Sequence, residues 1–445
     1  MKGPLRSILP ALIILAILLP GPSEARSDSS VTKARVNGQR LARQIEKLSE
    51  IGRNPGGGVD RVAFSEADIK AREYILSYLR KLGLMVHVDE AGNIIGRKEG
   101  KEPGLPPILI GSHIDTVPDG GKYDGALGIL AAIECVQVIG EQKVTTRYPL
   151  EIVVFSDEEG GSIGSLAMAG ELPAAVIQTK SQSGKTIGEG IRSIGGDPAK
   201  VALAARPRGE IRAYLELHIE QGGRLDSQKT EIGVVEGIVG IKHWEVRIEG
   251  VPNHAGTTPM NSRHDALLAA SHLIIAINQV VTGVPGNQVG TVGRIRAEPG
   301  APNVIPGLVV LSLELRDLAE EKIQSLYLRI RDEAKAIEQK TGTKMTFIPI
   351  EPASRPAPTD PRLRVCIARA AENLGLSKLF LPSGAGHDAQ NIARLAPIGM
   401  IFIPSVGGIS HSPKEYSRPE DVERGANVLL QTILRLDQGC LQEGR

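Results

Sequence analysis

Apolar residues along this chain follow two rhythms. Short continuous runs at Ile108–Ile110 and Leu150–Phe155 are too short for helices and apolar at nearly every position, the pattern of strands buried on both faces of a sheet. Ala213 to Gln221 alternates instead, with Leu215, Leu217 and Ile219 on one face and Glu216, His218 and Glu220 on the other. Helical spacing falls between these runs. Asn37 is placed to cap a helix carrying Leu41, Ile45 and Leu48 on one side; Ser65 and Asp68 resemble a capping box ahead of Ile69, Leu76 and Leu79, and Gly83 stops that helix. Val86 and Val88, the turn Ala91-Gly92-Asn93, and Ile94-Ile95 read as two short strands, and Ala126 to Ile133 as a further helix. Strands alternating with helices predict an α/β fold.

A different order begins after residue 240. His243 to Gly250 reads as a strand, Asp265 to Asn278 as an apolar helix, Gln288 to Arg296 and Leu308 to Arg316 as strands, Ala319 to Lys340 as a helix and Met345 to Ile350 as a last strand. That β-α-β-β-α-β order is a ferredoxin-like unit inserted into the α/β domain. Pro-rich Ala353 to Pro361 is the return linker. The first style then resumes, with a helix near Leu363 to Leu374, the loop Ser383 to Asn391, a strand Ile398 to Pro404 and a closing helix from Pro419. The expected division is 31–240 and 353–437 for the catalytic domain and 241–352 for the insert.

Composition narrows the partners. Lys plus Arg number 52 against 51 for Asp plus Glu, so the charge balance points to neither nucleic acid nor an anionic membrane, and a small-molecule partner is expected. At the N-terminus, Lys2 and Arg6 precede an apolar run from Ile8 to Leu19, then Pro20-Gly21-Pro22 and Ser23-Glu24-Ala25. This is the layout of a signal peptide over residues 1–25, and it predicts an exported protein with no membrane span after cleavage. Cys135 falls in an apolar helix and reads as a buried thiol, whereas a bridge between Cys366 and Cys440 stays open.

The candidate chemistry lies where the buried runs turn polar, which is where ligands bind in α/β sheets. Ile108–Ile110 leads into Gly-Ser-His113-Ile-Asp115, with Asp124 a few residues on; in extended chain His113 and Asp115 share a face, as a metal-bound imidazole and its supporting carboxylate do. Leu150–Phe155 leads into Ser-Asp-Glu158-Glu159, whose two carboxylates would point to opposite sides of an extended strand. His218 and His411 complete a set of imidazoles and carboxylates of the kind that hold two divalent ions about 3.5 to 4 Å apart. Each taken alone is an ordinary polar turn or packed histidine.

Taken together, GSHIDTVPDGGKYDGALG, FSDEEG, LELHIEQG, NHAGTTPM, PGAPNVIPG, LELRD, SGAGHDA and GISHSP occur in the order found in the N-carbamoyl-L-amino-acid hydrolase and allantoate amidohydrolase group, of the aminoacylase and carboxypeptidase clan, which this chain resembles. The resemblance implies a mixed-sheet domain holding two divalent ions, zinc above all, with manganese or cobalt as alternatives, and a ferredoxin-like lid through which homodimers form. It implies Asp124 as the bridging ligand, His113 and His218 on one ion, Glu159 and His411 on the other, Glu158 as general base and Asp115 orienting His113. Gln221 is implied at the ureido group, Asn303 and Arg316 at the substrate carboxylate, His254 at the oxyanion and His387 lining the pocket. The implied reaction is hydrolysis of a ureido C–N bond, with allantoate as the second substrate and an aminoacylase or peptidase as the other reading. Two departures, GGSIG after the Glu pair and Glu314 near Arg316, bear on substrate identity.

Overall fold

The computed structural model describes Met1, Gly3 and residues 33–442, so the leader expected over residues 1–25 lies outside the described residues but for two positions. The strands, in chain order, are β1 (Met85–Val88), β2 (Ile94–Lys98), β3 (Ile108–His113), β4 (Leu150–Phe155), β5 (Ala213–Ile219), β6 (Ile232–Ile238), β7 (Gly240–Glu249), β8 (Asn253–His254), β9 (Val289–Thr291), β10 (Ile295–Glu298), β11 (Val304–Ile305), β12 (Leu308–Asp317), β13 (Lys344–Ser354), β14 (Ala357–Pro358), β15 (Lys378–Ser383) and β16 (Ile398–Ile403).

The larger sheet runs β1-β2-β4-β3-β5-β16-β6-β14, with β15 also on β6. Its centre, β4-β3-β5-β16, is parallel, and β2 and β6 join it antiparallel. Every residue of these four central strands is buried. That explains the unbroken apolar runs, each buried aliphatic side chain contributing about 1.5–3 kcal/mol relative to exposure. Helix Ala126–Glu141, buried along almost its whole length, packs on the sheet and against helices Gly38–Ser49 and Pro419–Asp437. Its buried Glu134 accepts from Asn37 N at 2.7 Å and pairs with Arg40 at 2.7 Å, which fastens the first helix. Asn37 does cap that helix, its side chain accepting from Arg40 N. The box at Ser65 is half formed: Ser65 accepts from Asp68 N, but the Asp68 carboxylate accepts from Phe64 N instead of from Ser65 N.

The second sheet, β10-β12-β7-β13 with β9 also on β12, is antiparallel throughout. Helices Ala266–Thr282 and Glu320–Thr341 cover one face, where Trp244, Val246, Leu273, Leu311, Leu313, Ile323 and Ile330 form a core of their own. The chain order is the expected one with two differences. The strand expected over Gln288 to Arg296 is broken into β9 and β10, and β13 runs on to Ser354 into the stretch expected to be linker. Alternation turns His243, Glu314 and Arg316 to the face opposite the helices, His243 and Glu314 being direct partners in the β7–β12 register. β6 and β15 were not marked by the apolar pattern; Gly233 and Gly237 interrupt the first. Cys366 and Cys440 are paired with their Cα atoms 6.3 Å apart, and Cys135 is a buried free thiol.

Candidate dinuclear metal site

The four parallel strands end together, and the polar residues following them meet at their C-terminal edge. His113 closes β3, Asp157 to Glu159 follow β4, His218 and Gln221 come from the end of β5, and His411 lies in the loop after β16. Asp124 sits at the centre. One oxygen, Oδ1, is 3.1 Å from His218 Nε2 and 3.9 Å from His113 Nε2; the other, Oδ2, is 3.2 Å from His411 Nε2, which is 3.4 Å from Glu159 Oε1. Two ligand groups result, His113-Asp124-His218 and Asp124-Glu159-His411, sharing Asp124.

The donor chemistry suits divalent cations. His113 Nδ1 lies 3.0 Å from the Asp115 carbonyl and His218 Nδ1 2.9 Å from the Ile219 carbonyl, so each Nδ1 carries its proton and leaves Nε2 as a lone pair facing Asp124, that of His218 also accepting from Gly125 N at 3.3 Å. Without ions the same field gathers protons. Burial opposes charge on His113 and His218, but Glu158 and Asp115 around the first and Asp124 beside the second hold both imidazoles above their ordinary range. Hydrogen bonding to Asp124 lifts His411 to about 9. Burial, then the Asp124 charge, pushes Glu159 up to about 7, and burial pushes Glu158 well above the carboxylate range. A cluster that concentrates this much negative charge around three imidazoles is built to be neutralised by cations.

Local geometry differs from the expected extended chain in two places. Asp157 takes left-handed backbone (φ 54°) and the chain enters a helical turn, Glu158–Gly161. The two carboxylates therefore separate around a turn: Glu159 joins His411, while Glu158 Oε2 stands 3.7 Å from His113 Nε2, outside both ligand groups. Second, β3 ends at His113, so Asp115 is not on its strand. Its carbonyl holds the imidazole, and its carboxylate, 3.6 Å from Nδ1, accepts from Glu158 N at 3.4 Å and Glu159 N at 3.1 Å. Asp115 thus positions the glutamate turn as well as the histidine. The next helix begins at Ala126, as expected, after Gly125, with Asp124 turned inward to His218 and His411. Gly125 has φ 63°, and a Cβ there would lie 2.4 Å from the His113 ring.

Several contributors escaped the sequence reading. Glu415, 5% exposed, accepts from Tyr123 N at 2.8 Å and Asp124 N at 3.1 Å and so fixes the shared carboxylate; a Cβ on Gly121 would strike it. Ser410 donates to Asp124 Oδ2 and Glu415 Oε2, both at 3.0 Å. Glu216, on the polar face of β5, is fully buried and accepts from Ser112, Tyr214 and Ala389 N. A GISHSPKE run in which the Glu follows the His by four was the available signal for Glu415.

The expected substrate contacts divide. Gln221 donates from Nε2 to Asp124 Oδ2 at 2.8 Å, and with Arg316 it lines a cleft of about 450 Å³ between residues 220–224 and the loop at Gly384. Arg316 is anchored by Nε on Glu314 Oε1 and by Nη1 on the Gly384 carbonyl, both at 2.6 Å. His387 does not line that cleft. It is buried behind His218, ring centroids 4.5 Å apart, with Nε2 2.8 Å from Ser383 Oγ. His254 ends β8 and Asn303 immediately precedes its partner strand β11, its carbonyl accepting from Ala255 N at 3.0 Å; both are exposed, and among the described residues no hydrogen bond or ion pair joins either to the two ligand groups.

Comparison with known proteins shows the family. The pattern of peptidase family M20/M25/M40 matches residues 109–435. The chain belongs to that family. It is 41% identical over 409 residues to an N-carbamoyl-L-amino acid amidohydrolase of Geobacillus stearothermophilus, covering 91% of this chain and 100% of that protein. It is 34% identical over 401 residues to the allantoate amidohydrolase of Bacillus subtilis, covering 88% and 96%. Among solved structures, a hydantoinase/carbamoylase family amidase from Burkholderia multivorans superposes with a TM-score of 0.84 at 33% identity over 90% of this chain and 98% of that one. The expectation of export is corrected: the Geobacillus enzyme aligns over its whole length within 91% of this chain, and nothing in that match supports an exported protein. No helix among the described residues is long and apolar enough to cross a membrane.

Proposed function

We propose that this M20 enzyme hydrolyses the C–N bond of a ureido group, with an N-carbamoyl-L-amino acid as substrate. Gln221 carries the reading. Its amide must turn nitrogen toward the Asp124 carboxylate, which only accepts, and this leaves Oε1 buried with no hydrogen-bond partner. An orphaned acceptor beside a metal site calls for an N–H donor on the substrate. The terminal NH₂ of a carbamoyl group supplies one; the methyl of an N-acetyl group does not.

Two divalent ions held by His113, Asp124, His218, Glu159 and His411, zinc or manganese by ligand type, would supply a water of lowered pKa and positive charge opposite the developing oxyanion. Glu158, free of both ligand groups, takes one proton from the attacking water as oxygen bonds to the carbamoyl carbon, then returns it to the leaving nitrogen. The C–N bond breaks, releasing the amino acid, and the carbamate left behind decomposes to carbon dioxide and ammonia. Arg316, held on Glu314 and Gly384, has Nη2 without a partner among the described residues and presents it to the substrate carboxylate. Asn303 is proposed to share that carboxylate and His254 to face the oxyanion. Both are exposed and remote in contacts from their own metal ligands, which favours their acting on the partner's site in a homodimer. Leu267, Leu268 and Ile275, exposed on helix Ala266–Thr282 of the proposed lid (241–352), are the apolar surface such a dimer would cover.

Allantoate, with a carboxylate and ureido groups, is the second reading, supported by the Bacillus relative. An aminoacylase acting on N-acetyl groups is disfavoured by the Gln221 acceptor. The wild type is expected to prefer N-carbamoyl over N-acetyl amino acids by on the order of 10⁴-fold in kcat/KM, the scale for a site whose buried polar group is left unpaired by the wrong substrate. Gln221→Met should collapse that ratio to within about 100-fold. A wild type that cleaves both classes equally would remove the basis for the reading.

A further inference from the structure

The cleft that joins Gln221 to Arg316 has a second arginine. Arg224 lines it, together with Asn287 and an apolar wall of Leu381 and Pro382. The Arg224 guanidinium and the Asn287 amide have no hydrogen-bond or ion-pair partner among the described residues, although acidic groups lie close in sequence. Each of those groups is engaged elsewhere. Glu220, the one carboxylate lining the cleft, accepts from Arg224 N and Leu225 N, both at 2.8 Å, and so caps the short helix Arg224–Gln228. Asp226 accepts from Gly407 N at 2.9 Å and pairs with Arg418 at 2.8 Å. Arg316 differs, because Glu314 already balances its charge. The loop after β5 thus adds to the cleft that holds Gln221 and Arg316 a guanidinium with no side-chain partner among the described residues, and Asn287 lines the same cleft.

We infer that Arg224 is a specificity residue and that the preferred substrate carries a second carboxylate, the N-carbamoyl derivative of an acidic L-amino acid of the aspartate or glutamate kind. In this arrangement the ureido group meets Gln221, the α-carboxylate meets Arg316, the side-chain methylenes lie on Leu381 and Pro382, and the distal carboxylate takes the Arg224 fork with Asn287 donating beside it. A neutral side chain would leave Arg224 unpaired as the substrate fills the cleft. A second ureido group, as in allantoate, offers the Arg224 fork one neutral carbonyl oxygen in place of a carboxylate, a weaker partner than a charge-assisted pair. The inference rests on the ureido reading and adds to it the chemistry of the side chain.

The test is steady-state kinetics of the metal-loaded full chain and of its Arg224→Ala and Arg224→Lys variants on N-carbamoyl-L-aspartate, N-carbamoyl-L-glutamate, N-carbamoyl-L-alanine and allantoate. The wild type should favour an acidic substrate over the alanine derivative. Arg224→Ala should lower kcat/KM for the acidic substrates roughly 10- to 100-fold more than for alanine, chiefly through KM, the scale of one charge-assisted hydrogen-bond pair, and Arg224→Lys should recover part of it. An acidic-to-alanine ratio that is the same in wild type and Arg224→Ala, or a wild type that favours alanine, overturns the inference and leaves the ureido reading standing. Allantoate turnover falling as steeply as the acidic substrates would also overturn it, since Arg224 would then be holding a ureido oxygen. Hydrolysis of none of the four overturns both.

Discussion

Glu158→Gln is expected to keep two ions per chain and lose turnover by roughly 100- to 10,000-fold, the usual worth of a general base. The geometry sets both halves of that result. Glu158 stands outside the two ligand groups, so an amide there removes no ligand, while Glu159, one residue on, faces His411 at 3.4 Å. Metal analysis and initial rates on one preparation check it. Loss of an ion from Glu158→Gln, with Glu159→Gln retaining both, would exchange the roles of the two carboxylates.

Asp124→Asn should have the second large effect, by a different route. The two oxygens of Asp124 face His218 and His411 at 3.1 and 3.2 Å, so this one side chain belongs to both ligand groups. Replacing it by an amide should reduce bound metal from two ions to one or fewer and lower kcat/KM on the order of 1,000-fold or more, since the ions are asked to supply several kcal/mol of transition-state stabilisation. Glu415 still holds the loop through the backbone N–H groups of Tyr123 and residue 124, so the fold should survive, and circular dichroism beside metal analysis separates loss of metal from unfolding. Full retention of two ions would show that Asp124 does not bridge.

The strands that carry the site were legible because burial on both faces leaves an unbroken apolar run, as in β3 and β4, and because a run that turns abruptly polar marks the edge where parallel strands end. The strands of the second sheet were legible for a different reason, the alternation of a sheet with helices on one face, and the β-α-β-β-α-β order of their elements survives the break between β9 and β10. What periodicity could not give is the backbone beyond the strand ends. Asp157, Gln221 and His411 all take left-handed conformations (φ 54°, 55° and 51°), which no hydrophobic pattern encodes in a residue other than glycine. Those three turns decide that Glu158 and Glu159 part company, that Gln221 folds back on Asp124, and that His411 faces the shared carboxylate. Support from a distance was equally hidden: Glu415 reaches Asp124 from 291 residues away, and nothing local to either marks the partnership. The polar face of β5 misled in the other direction, since Glu216 and His218 alternate like solvent-facing residues yet are buried because the site itself covers them.

The most direct test of the account is release of ammonia from an N-carbamoyl-L-amino acid and of acetate from its N-acetyl counterpart. Both are measured with the full chain stripped of metal and then reloaded with zinc or manganese. The stripped protein should release neither product, and the reloaded protein should liberate ammonia with the free amino acid in equal amounts while releasing acetate on the order of 10⁴-fold more slowly. Ammonia release that persists without metal, or acetate release as fast as ammonia release, would contradict a metal-assembled site selective for the ureido group.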